Sequence, residues 1–284
     1  MIYSYTIDND INARDYLLSF YLAKSKVYKL FFEKRVSVND NIINENYKLL
    51  KGDILKINIT EEIDFIPEDK KIDIVYEDDY FLIINKPKGI IVHPDDKSKG
   101  NTLCNMVASY YKKIGLNINV RYAHRLDYDT TGIIIFVKDY LSFSYMNHYI
   151  ETHDVKRTYR CLVTGIINKK EGQIVAPISG DRHNSKKFVV SKNGKEAITN
   201  YKVIKEYKDY SLVEVLLKTG RTHQIRCHMA YINHPLLGDL LYGANTKLIN
   251  RVALHSYKLS FIHPIFKREV NLKLDLPSDM KGLV

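Results

Sequence analysis

Ala123-His124-Arg125-Leu126-Asp127-Tyr128-Asp129-Thr130-Thr131-Gly132 runs directly into Ile133-Ile134-Ile135-Phe136-Val137. The second part is a continuous, largely β-branched apolar run, ended by Lys138-Asp139, and it predicts a strand buried on both faces. The ten residues before it are therefore held against the rigid centre of a sheet. They bring two carboxylates, a guanidinium, an imidazole and two threonine hydroxyls into one turn, and the turn ends in Gly132, where backbone angles closed to other residues are open. Buried polar groups at that density are destabilising unless each finds a partner. Such density is more usual at a functional site than in a plain scaffold.

The spelling His124-Arg125-Leu126-Asp127 with Thr130-Thr131-Gly132 resembles the His-Arg-Leu-Asp-x-x-Thr-Ser-Gly motif of the RluA-type pseudouridine synthases. Thr131 stands where serine is usual and keeps the hydroxyl. Asp129-Thr130-Thr131-Gly132 is also similar to the Asp-Thr-Gly of aspartic proteases, but that chemistry needs two carboxylates sharing a proton and the chain has no second copy. Other segments fit the synthase resemblance in order: Asn85-Lys86-Pro87-Lys88-Gly89 leading to Val92-His93-Pro94, Lys156 to Gly165 with Tyr159, and Thr219-Gly220-Arg221-Thr222-His223-Gln224-Ile225-Arg226. His234 to Asp239 with Tyr242-Gly243, and Leu254 to Pro264, continue it.

The resemblance implies an α+β fold: a mixed, mainly antiparallel central sheet with flanking helices and a cleft across its middle. It also implies Asp127 as nucleophile, Tyr159 against the target base, and Arg125 filling the space left by a flipped uridine. Arg221 is the expected cationic partner of Asp127. His124 either contacts RNA or orients the loop. Whether Asp127 attacks ribose or uracil stays open, and the reaction needs neither cofactor nor metal. A metal hydrolase built on His223, Cys227, His228 and His234 is the rival reading; its spacing matches no established metal motif.

Upstream, residues 1–65 read as a separate small α/β module, with helices expected over Ile11 to Leu22 and, capped by Ser25, over Lys26 to Lys34. Val36 to Asp40 and Ile54 to Ile59 read as strands. The module carries 9 basic and 10 acidic residues, so its basic character is local, around Lys26, Lys29 and Arg35. Its order resembles the S-four-like RNA-binding module that many RluA-type enzymes carry at this end. Glu61 to Lys71 is polar and aperiodic and is the expected linker to a catalytic domain over 66–284.

Forty-three Lys and Arg against 33 Asp and Glu give a net charge of +10, which favours a polyanionic partner. Arg182 to Lys195 holds five basic residues and no acid, which makes Lys186 and Lys187 candidate phosphate contacts. Three scattered cysteines predict reduced thiols. The opening residues predict no signal peptide, and no apolar run is long enough to predict a membrane-spanning helix. The expectation is a monomeric cytoplasmic enzyme on structured RNA, with large-subunit ribosomal RNA favoured. The alternatives are a transfer RNA enzyme and a non-catalytic RNA-binding protein.

Overall fold

The structure, a computed structural model, describes residues 1–95, 100–244 and 248–284. The N-terminal part comprises β1 (Ile2–Thr6), β2 (Ile11–Asn12), α1 (Ala13–Leu18), α2 (Lys24–Phe32), β3 (Val36–Val38), β4 (Asn41–Ile42), β5 (Lys48–Leu49) and β6 (Ile54–Asn58). Then follow β7 (Ile74–Glu77), β8 (Phe81–Lys86), α3 (Leu103–Lys113), β9 (Arg121–Tyr122), β10 (Thr131–Val137) and α4 (Tyr140–Glu151). Five strands come next: β11 (Lys156–Thr164), β12 (Glu171–Val175), β13 (Ile178–Gly180), β14 (Phe188–Val190) and β15 (Ile198–Glu206). The chain ends with β16 (Tyr210–Leu217), α5 (Gln224–Tyr231), β17 (Leu254–Ile262), β18 (Glu269–Lys273) and α6 (Ser278–Lys281).

All seven residues of β10 are buried. Fully burying one large apolar side chain is worth about 1.5–3 kcal/mol, so this run fixes the middle of the molecule. It lies in a sheet of order β12-β15-β16-β11-β17-β10-β8-β7, with β18 beside β17 and β9 beside β10. Every pairing in that sheet is antiparallel among the described residues except β10 with β17, where Thr131 lies opposite His255 and Gly132 opposite Ser256. The mixed, mainly antiparallel α+β architecture is the expected one. Helix α3 starts on a capping box: Thr102 Oγ1 accepts from the Asn105 amide and Asn105 Oδ1 from the Thr102 amide. Helix α4 starts on Asp139, whose carboxylate accepts from the Ser142 amide at 2.6 Å.

The N-terminal strands form their own sheet, β1-β6-β3-β4. Its second helix begins at Lys24 after Ala23, so Ser25 lies inside the helix instead of capping it. No regular element occupies Glu61 to Lys71. The two parts nevertheless share one continuous apolar core. The Tyr5 hydroxyl donates to Asp139, Arg121 pairs with Glu61, and Tyr21 stacks on His148 at 3.7 Å. Cys104, Cys161 and Cys227 are free and buried.

Candidate active site

The loop before β10 is pinned from beneath by two buried cations. Lys86, at the inner end of β8, donates through Nζ to the carbonyl oxygens of Pro87 (2.9 Å), Ile90 (2.7 Å) and Tyr128 (3.1 Å). Burial pushes its amine down to about 7, against the opposing pull of Asp127 and Asp129. Arg251 donates through Nη1 to Asp129 O at 3.1 Å, while Nε and Nη2 grip the Asp279 carboxylate at 2.8 Å each. Gly132 has φ +108°, and a Cβ there would lie 2.2 Å from Ser256 O, so only glycine permits the parallel approach of β17. Thr131 Oγ1 lies 2.8 Å from His255 Nδ1, which gives the hydroxyl at this position its partner.

Above this base lies a cavity of about 430 Å³, whose lining includes His124, Arg125, Asp127, Tyr159, Arg221 and Arg226. A second cavity of about 240 Å³ adjoins it, and Arg125, Asp127, His223 and Arg226 line both. Asp127 is thus reachable from solvent, with 23% of its side chain exposed. Arg226 Nη1 lies 3.5 Å from Asp127 Oδ2 and His223 Nε2 lies 3.7 Å from the same oxygen. Arg226 is itself fixed by a fork on Asp239, Nε to Oδ2 at 2.7 Å and Nη2 to Oδ1 at 2.9 Å. Tyr159 sits where β11 shifts register against β17, between Thr158 and Tyr159, and such a bulge re-aims the side chain. Burial raises its phenol above the ordinary value; Arg157 opposes this and Asp127 adds to it.

One expectation is corrected. Arg221 lines the cavity, but its Nε donates to Glu196 O at 2.9 Å and its amide to Gln224 Oε1 at 2.9 Å; the cation against Asp127 is Arg226. The reason lies in where the helix starts. His223 takes a left-handed conformation (φ 55°), so α5 begins only at Gln224. Arg221 is left in the preceding turn, and Arg226 enters the first buried turn of the helix.

The other candidates divide. Arg125 is exposed at the rim. His124 is buried with both ring nitrogens unpartnered, and burial, helped by Arg157, holds its pKa down to about 3. Lys26 and Lys29 are exposed on α2, and Arg35 follows that helix; Lys29 and Arg35 share Glu33 at 3.5 and 2.5 Å. None of the three lines either cavity. Lys186 is exposed in the β13–β14 turn, and Lys187 Nζ lies 5.5 Å above the Tyr242 ring. That hairpin reaches the rim through Phe188, edge-on to His223. His228 Nε2 is 2.8 Å from Ala176 O and His234 Nδ1 is 2.8 Å from Thr164 O, so each is committed to backbone.

Sequence reasoning missed Lys86, Arg226 and Asp239. A lysine closing an apolar strand and an arginine between core positions of a helix were the available signals.

Residues 80–231 match the protein family described as RNA pseudouridylate synthase. An uncharacterized RNA pseudouridine synthase of Bacillus subtilis (strain 168), YhcT, is 41% identical over 254 residues, 88% of this chain and 84% of the relative. Ribosomal large subunit pseudouridine synthase D of Escherichia coli (strain K12) is 33% identical over 281 residues, 92% of this chain and 85% of the relative. Among solved structures, human RNA pseudouridylate synthase domain containing 4 shares the fold. It gives a TM-score of 0.60 at 24% identity, over 72% of this chain and 89% of that one.

Proposed function

The chain belongs to the RNA pseudouridylate synthase family, and from that premise we propose that it isomerises specific uridines of large-subunit ribosomal RNA with Asp127 as the nucleophile. The observation that carries this reading is the Arg226 guanidinium against Asp127 Oδ2 at the mouth of an open cavity. The relatives named for the ribosomal large subunit, at 33–34% identity over nine-tenths of the chain, favour that substrate over transfer RNA.

The reaction breaks the bond between ribose C1′ and uracil N1, turns the base, and joins C1′ to C5. The proton on C5 is lost to a base and one is returned at N1, so substrate and product are isomers. Asp127 bonds covalently to the nucleotide and is released when the new C–C bond is complete. Arg226, itself locked by Asp239, places positive charge on the carboxylate and fixes its direction. Tyr159 lies along the flipped base, and Arg125 occupies the gap left in the RNA stack, offsetting an extrusion that costs on the order of a few kcal/mol.

Residues 1–65 act as an S-four-like RNA-binding module through Lys26, Lys29 and Arg35, and residues 66–284 as the catalytic domain of an RluA-type enzyme. Lys186 and Lys187 add phosphate contacts beside the cavity. The enzyme works as a cytoplasmic monomer.

The test is release of tritium from ribosomal RNA labelled at C5 of uracil and taken from a deletion strain. Release in proportion to new pseudouridine is expected. Release from transfer RNA alone would move the substrate, and release from neither would end the reading.

A further inference from the structure

Three side chains on the cavity wall carry buried nitrogens with no hydrogen-bond partner: His124 at both ring nitrogens, His153 at Nδ1 and Arg157 at Nε. Arg157 is the most unusual of them. Among the described residues three arginines are buried, and two end on carboxylates, Arg226 on Asp239 and Arg251 on Asp279. Arg157 is 6% exposed, and its guanidinium makes neither an ion pair nor a hydrogen bond among the described residues. An unpaired buried cation is destabilising, and a structural role would have given it an acid.

Its surroundings are cationic too. The guanidinium packs beneath the turn after β16, where a Cβ on Gly220 would lie 3.4 Å from Arg157 Nη2, and Arg221 lines the same cavity. Burial lowers the pKa of His153, and the charges of Arg157, Arg221 and Lys218 add to that. Glu151 also lines the cavity but is exposed and forms no ion pair with Arg157. Tyr159 lines the same cavity as Arg157 and Asp127, and the charges of both act on its phenol.

We propose that Arg157, with His153 and Arg221 beside it, receives a backbone phosphate of the nucleotide drawn into the cavity. The nucleotide is then held in one cavity by Asp127 and Arg157. This rests on the uridine reading above. A planar guanidinium with open N–H groups suits a phosphate diester, which supplies both the missing charge and the missing acceptors.

The experiment compares binding of uridine 5′-monophosphate and uridine by calorimetry, with thermal melts in chloride buffer, for the full chain and for Arg157→Gln and Arg157→Lys. The wild type is expected to prefer the monophosphate at least tenfold. In Arg157→Gln that preference should fall below twofold, and Arg157→Lys should lie between. With no ligand, Arg157→Gln should melt at or above the wild type, because an unpaired buried charge is gone. Equal preference in wild type and Arg157→Gln, or none in the wild type, would overturn the assignment. So would a glutamine variant that fails to fold, which would make Arg157 a structural cation. Binding is read without turnover, so loss of tritium release with the phosphate preference intact would count against the isomerase reading alone.

Discussion

Strand β10 has an aspartate just beyond each end, and the fold treats the two oppositely. Asp127, before the strand, is partly exposed, faces a cavity and has an arginine and a histidine within 4 Å. Asp139, after it, is 2% exposed and has no ion-pair partner among the described residues. It accepts the Tyr5 hydroxyl and the Ser142 amide instead. Burial pushes its pKa up, and those two hydrogen bonds pull the other way. A carboxylate beside a guanidinium and open to solvent is free to react. One sealed by neutral donors fastens structure: here the N-terminal sheet to the first turn of α4. The same side chain serves chemistry or assembly according to what surrounds it.

The largest expected effect separates the two arginines at the reactive end. Arg226→Ala should lower kcat/KM by at least about 10³-fold, roughly 4 kcal/mol of transition-state stabilisation. Arg221→Ala should cost only about tenfold, mainly in KM. Steady-state kinetics on the labelled RNA decide this, and equal losses would return Arg221 to the side of Asp127. Next comes Lys86→Met, which leaves the Pro87, Ile90 and Tyr128 carbonyls without their donor. Urea unfolding should show a loss of about 2–4 kcal/mol, with activity falling as the Asp127 loop loosens.

At the sealed end, Tyr5→Phe should cost about 1–2 kcal/mol of stability by the same measurement and leave tritium release unchanged. A change in activity there would mean that the two ends are coupled. Stability should also depend on pH. Burial holds His124 down to about 3 and His255 down to about 4. The unfolded chain therefore takes up protons below about 6.5 that the folded chain refuses. Stability should decline as pH falls below 6.5, gently at first and then steeply until about 3. The decline should be shallower in His255→Gln. Both histidines belong to the Asp127 end, so the acid sensitivity should be seated there.

Much of this is legible in the sequence alone. The apolar run Ile133 to Val137 located the buried strand because burial on both faces leaves a run with no polar alternation. The dense polar turn before it located the cavity for the opposite reason, since such groups persist only where something holds them. The cationic partner was not legible. Arg221 and Arg226 are five residues apart in one segment, and the choice between them depends on a single left-handed residue, His223, which sets where α5 begins. The role of Lys86 was not legible either, because its three carbonyl partners come from two separate segments. The Tyr5 bond to Asp139 joins residues 134 apart, a contact that no local pattern encodes.

The measurement that bears most directly on the proposed nucleophile sets Asp127→Asn beside Asp139→Asn in one tritium-release assay, with a thermal melt of each. Asp127→Asn should release at least about 10⁴-fold less tritium and melt like the wild type, whereas Asp139→Asn should release tritium normally and melt lower. Normal release by Asp127→Asn would contradict the account.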